Sequence, residues 1–264
     1  MDLKRALFVW MGAALLLAWA GATQAQMVTD GLISYWPLDN ATIKGDTVED
    51  VWGDNDGILV GNPKSVNGQV GQGLEFDGTN GVEVPGTETL DFKGADQMTV
   101  MAWVNTGSDD PVQGVVAGCC GTIVAQRDVN GWALRYDGRN AGAEMEFIVH
   151  GGNWIGDNGF GAPLFPAGEW HHLVGIIDGA DMFLYADGEL VQQGAFGDTV
   201  ASAGTKLEIG KAGDGGFVGI IDEVAIYNRP LSADEVKANF NAKGLAVWPE
   251  GKLATLWGRI KTRR

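Results

Sequence analysis

Residues 219–232, Gly-Ile-Ile-Asp-Glu-Val-Ala-Ile-Tyr-Asn-Arg-Pro-Leu-Ser, limit what this chain can fold into more than any other stretch. Alternating apolar side chains run up to Tyr227 and read as a strand. Pro230 then ends the ladder, because proline has no backbone N–H to donate. Ser232, with Glu235 three residues on, forms a capping box that opens a helix. Val236 and Phe240 share one face of that helix, and Gly244 is placed to stop it.

Other strand-like runs, separated by turn signals, fall at 32–36, 56–60, 73–77, 82–84, 98–104, 122–126, 132–136, 145–149, 170–177, 181–185 and 207–209. In 98–104, Val100, Ala102 and Val104 share one face, and Thr99, Met101 and Trp103 the other. Both faces are apolar enough for a central strand. Asp178-Gly-Ala and Ala186-Asp187-Gly188-Glu189 read as hairpin turns, the Asp-Gly pair suiting type I′ geometry. The 41 glycines against 8 prolines suit an all-β fold rich in tight turns. No internal repeat is evident.

Both ends lie outside this pattern. Residues 1–26 read as a signal peptide: Lys4 and Arg5 precede an apolar core at 6–20, and Thr23-Gln24-Ala25 offers a small-residue cleavage site. The apolar run is shorter than the roughly 20 residues of a membrane span. The expectation is therefore an exported protein, secreted or at the cell surface. Residues 242–264 form a basic extension with a short helix over 252–261. There Leu253, Leu256, Trp257 and Ile260 make one apolar stripe among Lys252, Arg259, Lys261, Arg263 and Arg264. Residues 252–264 suit contact with a membrane surface, a partner, or the acidic domain itself. The two cysteines are adjacent, Cys119-Cys120. In an oxidising compartment they form a vicinal disulfide or pair between molecules.

The formal net charge is −16. Nucleic acid is excluded as a partner, since its phosphates require a basic face. Acidity of this kind favours solubility and cation binding.

Nine segments in order resemble LamG-like domains of the concanavalin A type: GLISYWPLDN (31–40), DNDGILVG (54–61), GQVGQGLEFDGTNGVEVP (68–85), MTVMAWV (98–104), GWALRYDG (131–138), EWHHLVGIIDG (169–179), MFLYADGELV (182–191), LEIGKAG (207–213) and GIIDEVAIYNRPLSADEV (219–236). The resemblance implies a two-sheet antiparallel jelly-roll sandwich over 27–241, of the lectin and glucanase kind. It also implies an extracellular module that binds a glycan or a protein. The chain departs from the family pattern at 106–120, at the glycine-rich 150–167, and beyond 241.

The resemblance further implies a structural Ca²⁺ near the first and last strands. The matching positions are Asp39 and Asp222, with Asp54, Asn55 and Asp56 in the segment that adds further oxygens. Ca²⁺ takes six to eight oxygen ligands. The bland alternative is that these carboxylates cap turns. A ligand surface is expected from Trp132, Arg135, Tyr136, Arg139, Trp154 and Phe160, where aromatic faces stack on sugars and arginines supply donors. The alternative for each is packing.

Catalysis is not expected. Laminarinase-type relatives use a Glu-x-Asp-x-x-Glu strand, whereas Glu144-Met-Glu146-Phe-Ile-Val149 lacks the third carboxylate and reads as a half-exposed strand. His171 and His172 are strand neighbours that point to opposite faces, so they cannot share one metal. The reading is a non-catalytic, Ca²⁺-stabilised binding module. A structural or adhesive surface component held by its tail is the alternative, with a glycan-active hydrolase third.

Overall fold

A computed structural model describes residues 26–107, 120–127, 130–138, 144–157, 159–201, 204–213 and 215–245. The signal-peptide reading, the helix over 252–261, Cys119 and Arg139 lie outside the described residues. Cys120 is disulfide-bonded.

The described residues build two antiparallel sheets packed face to face, the jelly-roll sandwich expected. In the eight-stranded sheet, Gln97–Thr106 lies between Trp170–Asp178 and the closing strand Val218–Tyr227. The first strand, Leu32–Trp36, pairs with that closing strand, so the two ends of the domain are zipped together. The twelve-stranded sheet runs outward from Gly121–Gln126. Trp132–Asp137, Glu144–His150 and the short Trp154–Ile155 lie on one side. Lys206–Ile209, Gly81–Pro85 and Gly57–Val60 lie on the other. The sequence pattern missed the short strands Ile43–Lys44, Thr47–Val48, Lys64–Asn67 and Gly161–Pro163. At two to four residues each, they hold no readable alternation.

The period-2 pattern sorts side chains into layers. Val100, Ala102, Val104, Leu173, Leu184, Val224 and Ile226 meet Val82, Val84, Leu134, Phe147 and Leu207 between the sheets. The opposite face of the eight-stranded sheet carries a second core, in which Tyr35, Met101, Val174, Ala225 and Tyr227 are covered by Met27, Val236 and Leu245. Gln97–Thr106 is therefore buried on both faces, as expected of a central strand. Gly175 fits beneath the Phe147 ring, where an added Cβ would come within 2.5 Å.

The helix Ala233–Ala242 opens on the capping box read from sequence. Ser232 accepts from the Glu235 N–H, and the Glu235 carboxylate accepts from the Ser232 N–H. Arg229 anchors the same Glu235 through both guanidinium ends, at 2.9 and 2.6 Å. Lys243, at φ 67°, ends the helix one residue before Gly244.

Candidate functional site

Asp39 and Asp222 meet around one turn, residues 68–72. Asp39 Oδ1 accepts the Gln72 N–H at 2.7 Å, and Asp222 Oδ2 accepts the Val70 N–H at 3.0 Å. The turn is pressed close to both carboxylates. A Cβ on Gly71 would lie 2.5 Å from Asp39 Oδ1, and one on Gly68 2.5 Å from Asp222 Oδ2. Asp222 is fully buried, and its Oδ1 has no hydrogen-bond partner. Burial pushes its pKa up, opposed by the Val70 N–H and reinforced by the charge of Asp39, to about 8. Burial raises Asp39 as well. Two carboxylates, one with an orphaned buried oxygen, fit the all-oxygen donor set of Ca²⁺.

Asn55 is buried beside the first strand and hydrogen-bonded within the fold. Its Oδ1 accepts the Thr87 and Thr89 hydroxyls, and its Nδ2 donates to Ser34 Oγ at 2.7 Å. Both ends of the Asn55 amide are thus engaged within the fold, and its backbone carbonyl accepts from Trp36 Nε1 at 2.9 Å. Asp56 is exposed and accepts the Asp50 N–H at 2.9 Å; Asp54 is exposed. The loop is organised around Asp50, which accepts N–H groups from Tyr35, Trp52, Gly53 and Asn55. An Asp followed three residues later by Gly is a turn signal that could have found it.

The expected ligand surface is largely redistributed. Trp132 and Tyr136 are fully buried between the sheets, and Phe160 is in the same core. Trp132 Nε1 donates to Gln126 Oε1 at 3.0 Å, and its ring meets Phe92 edge-on. For these three the packing alternative holds: strand alternation turns Trp132 and Tyr136 inward, and Phe160 enters the core from the bend before Gly161–Pro163. Trp154 is half-buried against Ala125, Ala133 and Ile148. The Arg127 guanidinium lies 3.9 Å over its ring, and His150 is edge-on at 5.0 Å.

Arg135 faces outward from the same sheet but is buried with three acids. It donates to Glu146 through Nε and Nη2, both at 3.0 Å, and to Asp157 at 2.6 Å; Asp137 is 3.5 Å away. Burial raises Glu146, the Arg135 charge opposing it, and the net effect is a pKa of about 8. The half-exposed strand expected at 144–149 is corrected on this point: Glu146 is fully buried. His171 and His172 do face apart. His171 stacks on Phe165 and meets Asp187 Oδ2 at 2.7 Å, while His172 lies against Trp103 and Phe240.

The open part of this outer face was not read from sequence. One register row crosses the sheet through Ile148, Ala133, Ala125, Glu208, Glu83 and Ile58. At its far end is a groove of about 230 Å³ walled by Val60, Glu83, Lys206, Glu208, Lys211 and Ala212. Lys206 Nζ bridges Glu83 and Glu208 at 2.8 Å each. Lys211 Nζ donates to the Thr79 carbonyl at 3.0 Å. Ile58 and Val60, 51% and 37% exposed, add an apolar margin. The readable signal was a carboxylate at the outward position of two apolar strands, in Val82-Glu83-Val84 and Leu207-Glu208-Ile209.

Residues 76–237 match the family model described as the Concanavalin A-like lectin/glucanases superfamily. Domain 4 of AbnA, an extracellular arabinanase of Geobacillus stearothermophilus, solved with arabinotriose, aligns at TM-score 0.59 and 20% identity over 78% of this chain and 96% of that one. The binding domain of Paraclostridial Mosquitocidal Protein 1 aligns at TM-score 0.61 and 17% identity, over 81% of this chain and 52% of its own. The binding domain of Botulinum neurotoxin DC, solved with rat synaptotagmin II, aligns at 0.62 and 12%, over 85% and 55%. The chain thus spans about half the length of the two toxin structures. No curated protein matches the sequence.

Proposed function

The chain belongs to the concanavalin A-like lectin/glucanases superfamily, and on that premise we propose that it is an extracellular, non-catalytic module that binds carbohydrate. The observation that carries this reading is the groove walled by Val60, Glu83, Lys206, Glu208 and Lys211. It combines an apolar margin with convergent donors and acceptors, which is what the C–H faces and hydroxyls of a sugar require. The arabinotriose bound to the arabinanase domain supports a glycan. The synaptotagmin bound to the toxin domain leaves a protein partner as the second class.

The chemistry of the carboxylates supports binding over hydrolysis. Glycoside hydrolysis needs one carboxyl group to hold a proton beside the substrate and a second to act as base or nucleophile. In the groove, Glu83 and Glu208 share one ammonium. Glu146, whose pKa burial raises against the pull of Arg135, is enclosed with that guanidinium.

Ca²⁺ belongs to this proposal as a clip. Asp39 and Asp222 would hold it, joining the segment after the first strand to the closing strand. Its charge would compensate two carboxylates that burial disfavours.

Calorimetric titration of the purified protein with soluble oligosaccharides, CaCl₂ present, tests the reading. Saturable binding that Val60→Asp weakens is expected, with no release of reducing sugar. Absence of binding across neutral and charged glycans would overturn it.

A further inference from the structure

We infer that the groove selects uncharged glycans and discriminates against sialylated, uronate-bearing or sulfated ones. The inference rests on the glycan-binding reading above and specifies the ligand class of that same site.

The groove's fixed charges cancel among themselves. It is walled by two carboxylates, Glu83 and Glu208, and two ammonium groups, Lys206 and Lys211. Lys206 is held by both carboxylates at 2.8 Å. Burial alone would lower its pKa, but hydrogen bonds to Glu208 and Glu83 push it up to about 12, so it stays charged and paired. Lys211 points its Nζ at the Thr79 carbonyl, 3.0 Å away. At Lys206 an incoming carboxylate or sulfate would have to displace Glu83 or Glu208, leaving a protein acid without its cation, and at Lys211 it would have to sit beside those two acids.

The surroundings act in the same direction. Among the described residues, two arginines lie elsewhere on this face, of which Arg135 already meets Glu146, Asp137 and Asp157. Arg127 lies over Trp154. The whole chain carries −16, which repels anions at long range.

A neutral sugar meets none of these penalties. Paired carboxylates keep lone pairs for hydroxyl donors, since each oxygen has more than one acceptor site. Lys206 and Lys211 keep N–H groups for hydroxyl oxygens. Ile58 and Val60 offer an apolar edge to a sugar's C–H face.

The test titrates the purified protein with matched pairs: a neutral oligosaccharide, and the same backbone bearing sialic acid, uronate or sulfate. The expected result is a preference for the neutral member of about tenfold or more at low salt, narrowing but not reversing as salt screens the long-range repulsion. Glu83→Gln with Glu208→Gln frees Lys206, and should narrow the preference or invert it at low salt. Equal or tighter binding of the anionic member by the wild type, weakening as salt rises, would overturn the inference while leaving glycan binding intact. Binding of neither member would overturn the glycan-binding reading itself. The wild-type comparison decides the matter even if the double variant fails to fold.

Discussion

Glu83 and Glu208 stand directly opposite one another on neighbouring strands, and the ammonium of Lys206 lies 2.8 Å from each. Like charges in that register repel, and a cation bridging both removes the repulsion. Lys206→Met should therefore destabilise the fold by about 1–2 kcal/mol, the cost of leaving a partly buried acid without its donor. Urea unfolding measures it. Adding Glu83→Gln and Glu208→Gln to Lys206→Met should recover most of the loss, because the repulsion disappears with the charges. A triple variant no more stable than the single one would disprove the coupling.

Asp222 gives a pH dependence with a definite sign. Its folded pKa, about 8, is above the ordinary 3.8, so the folded state holds a proton that the unfolded chain releases. The resulting stabilisation is complete below about pH 4 and declines as pH rises to about 8. A divalent cation competes with that proton. The rise in Tm from CaCl₂ over EGTA should therefore grow between pH 5 and pH 8. Asp222→Asn should abolish the calcium-dependent part. A calcium effect equal at both pH values, or retained in Asp222→Asn, would place the ion elsewhere.

Arg135 is the cation at the centre of three acids, two of them fully buried. Arg135→Met should cost about 3–5 kcal/mol, as breaking a buried pair does. The deficit should deepen as pH rises through the range in which Glu146 ionises, near 8. Glu146→Gln in the same background should flatten that dependence. Chemical denaturation at pH 6 and pH 9 separates these outcomes.

Gly175→Ala places a methyl where the Phe147 ring already lies, within 2.5 Å. Overpacking of this kind costs about 1–3 kcal/mol. Phe147→Leu combined with Gly175→Ala should be less than additive, which thermal unfolding of the two single variants and the double variant would show.

The sequence made the sandwich readable because long strands report their own faces. Val100, Ala102 and Val104 point to one core and Met101 to the other, as alternation requires. The capping box at Ser232 was readable because its two partners are three residues apart. The site was less legible, for a physical reason. Alternation also decides which side of a sheet a residue faces, yet Trp132 and Tyr136 were weighed by chemical type and proved to face inward. Asp39 and Asp222 meet only because a turn at 68–72 closes on both. The groove depends on a lateral row through several strands, and no local window of sequence contains Glu83, Glu208 and Ile58 together.

The second core has a consequence for how the module is presented. Met27 and Leu245, near the two limits of the described chain, both pack on the outer face of the eight-stranded sheet. The groove opens on the outer face of the other sheet. Front and back are thereby assigned: the described chain begins and ends on the back of the sandwich, and the groove opens on the opposite side.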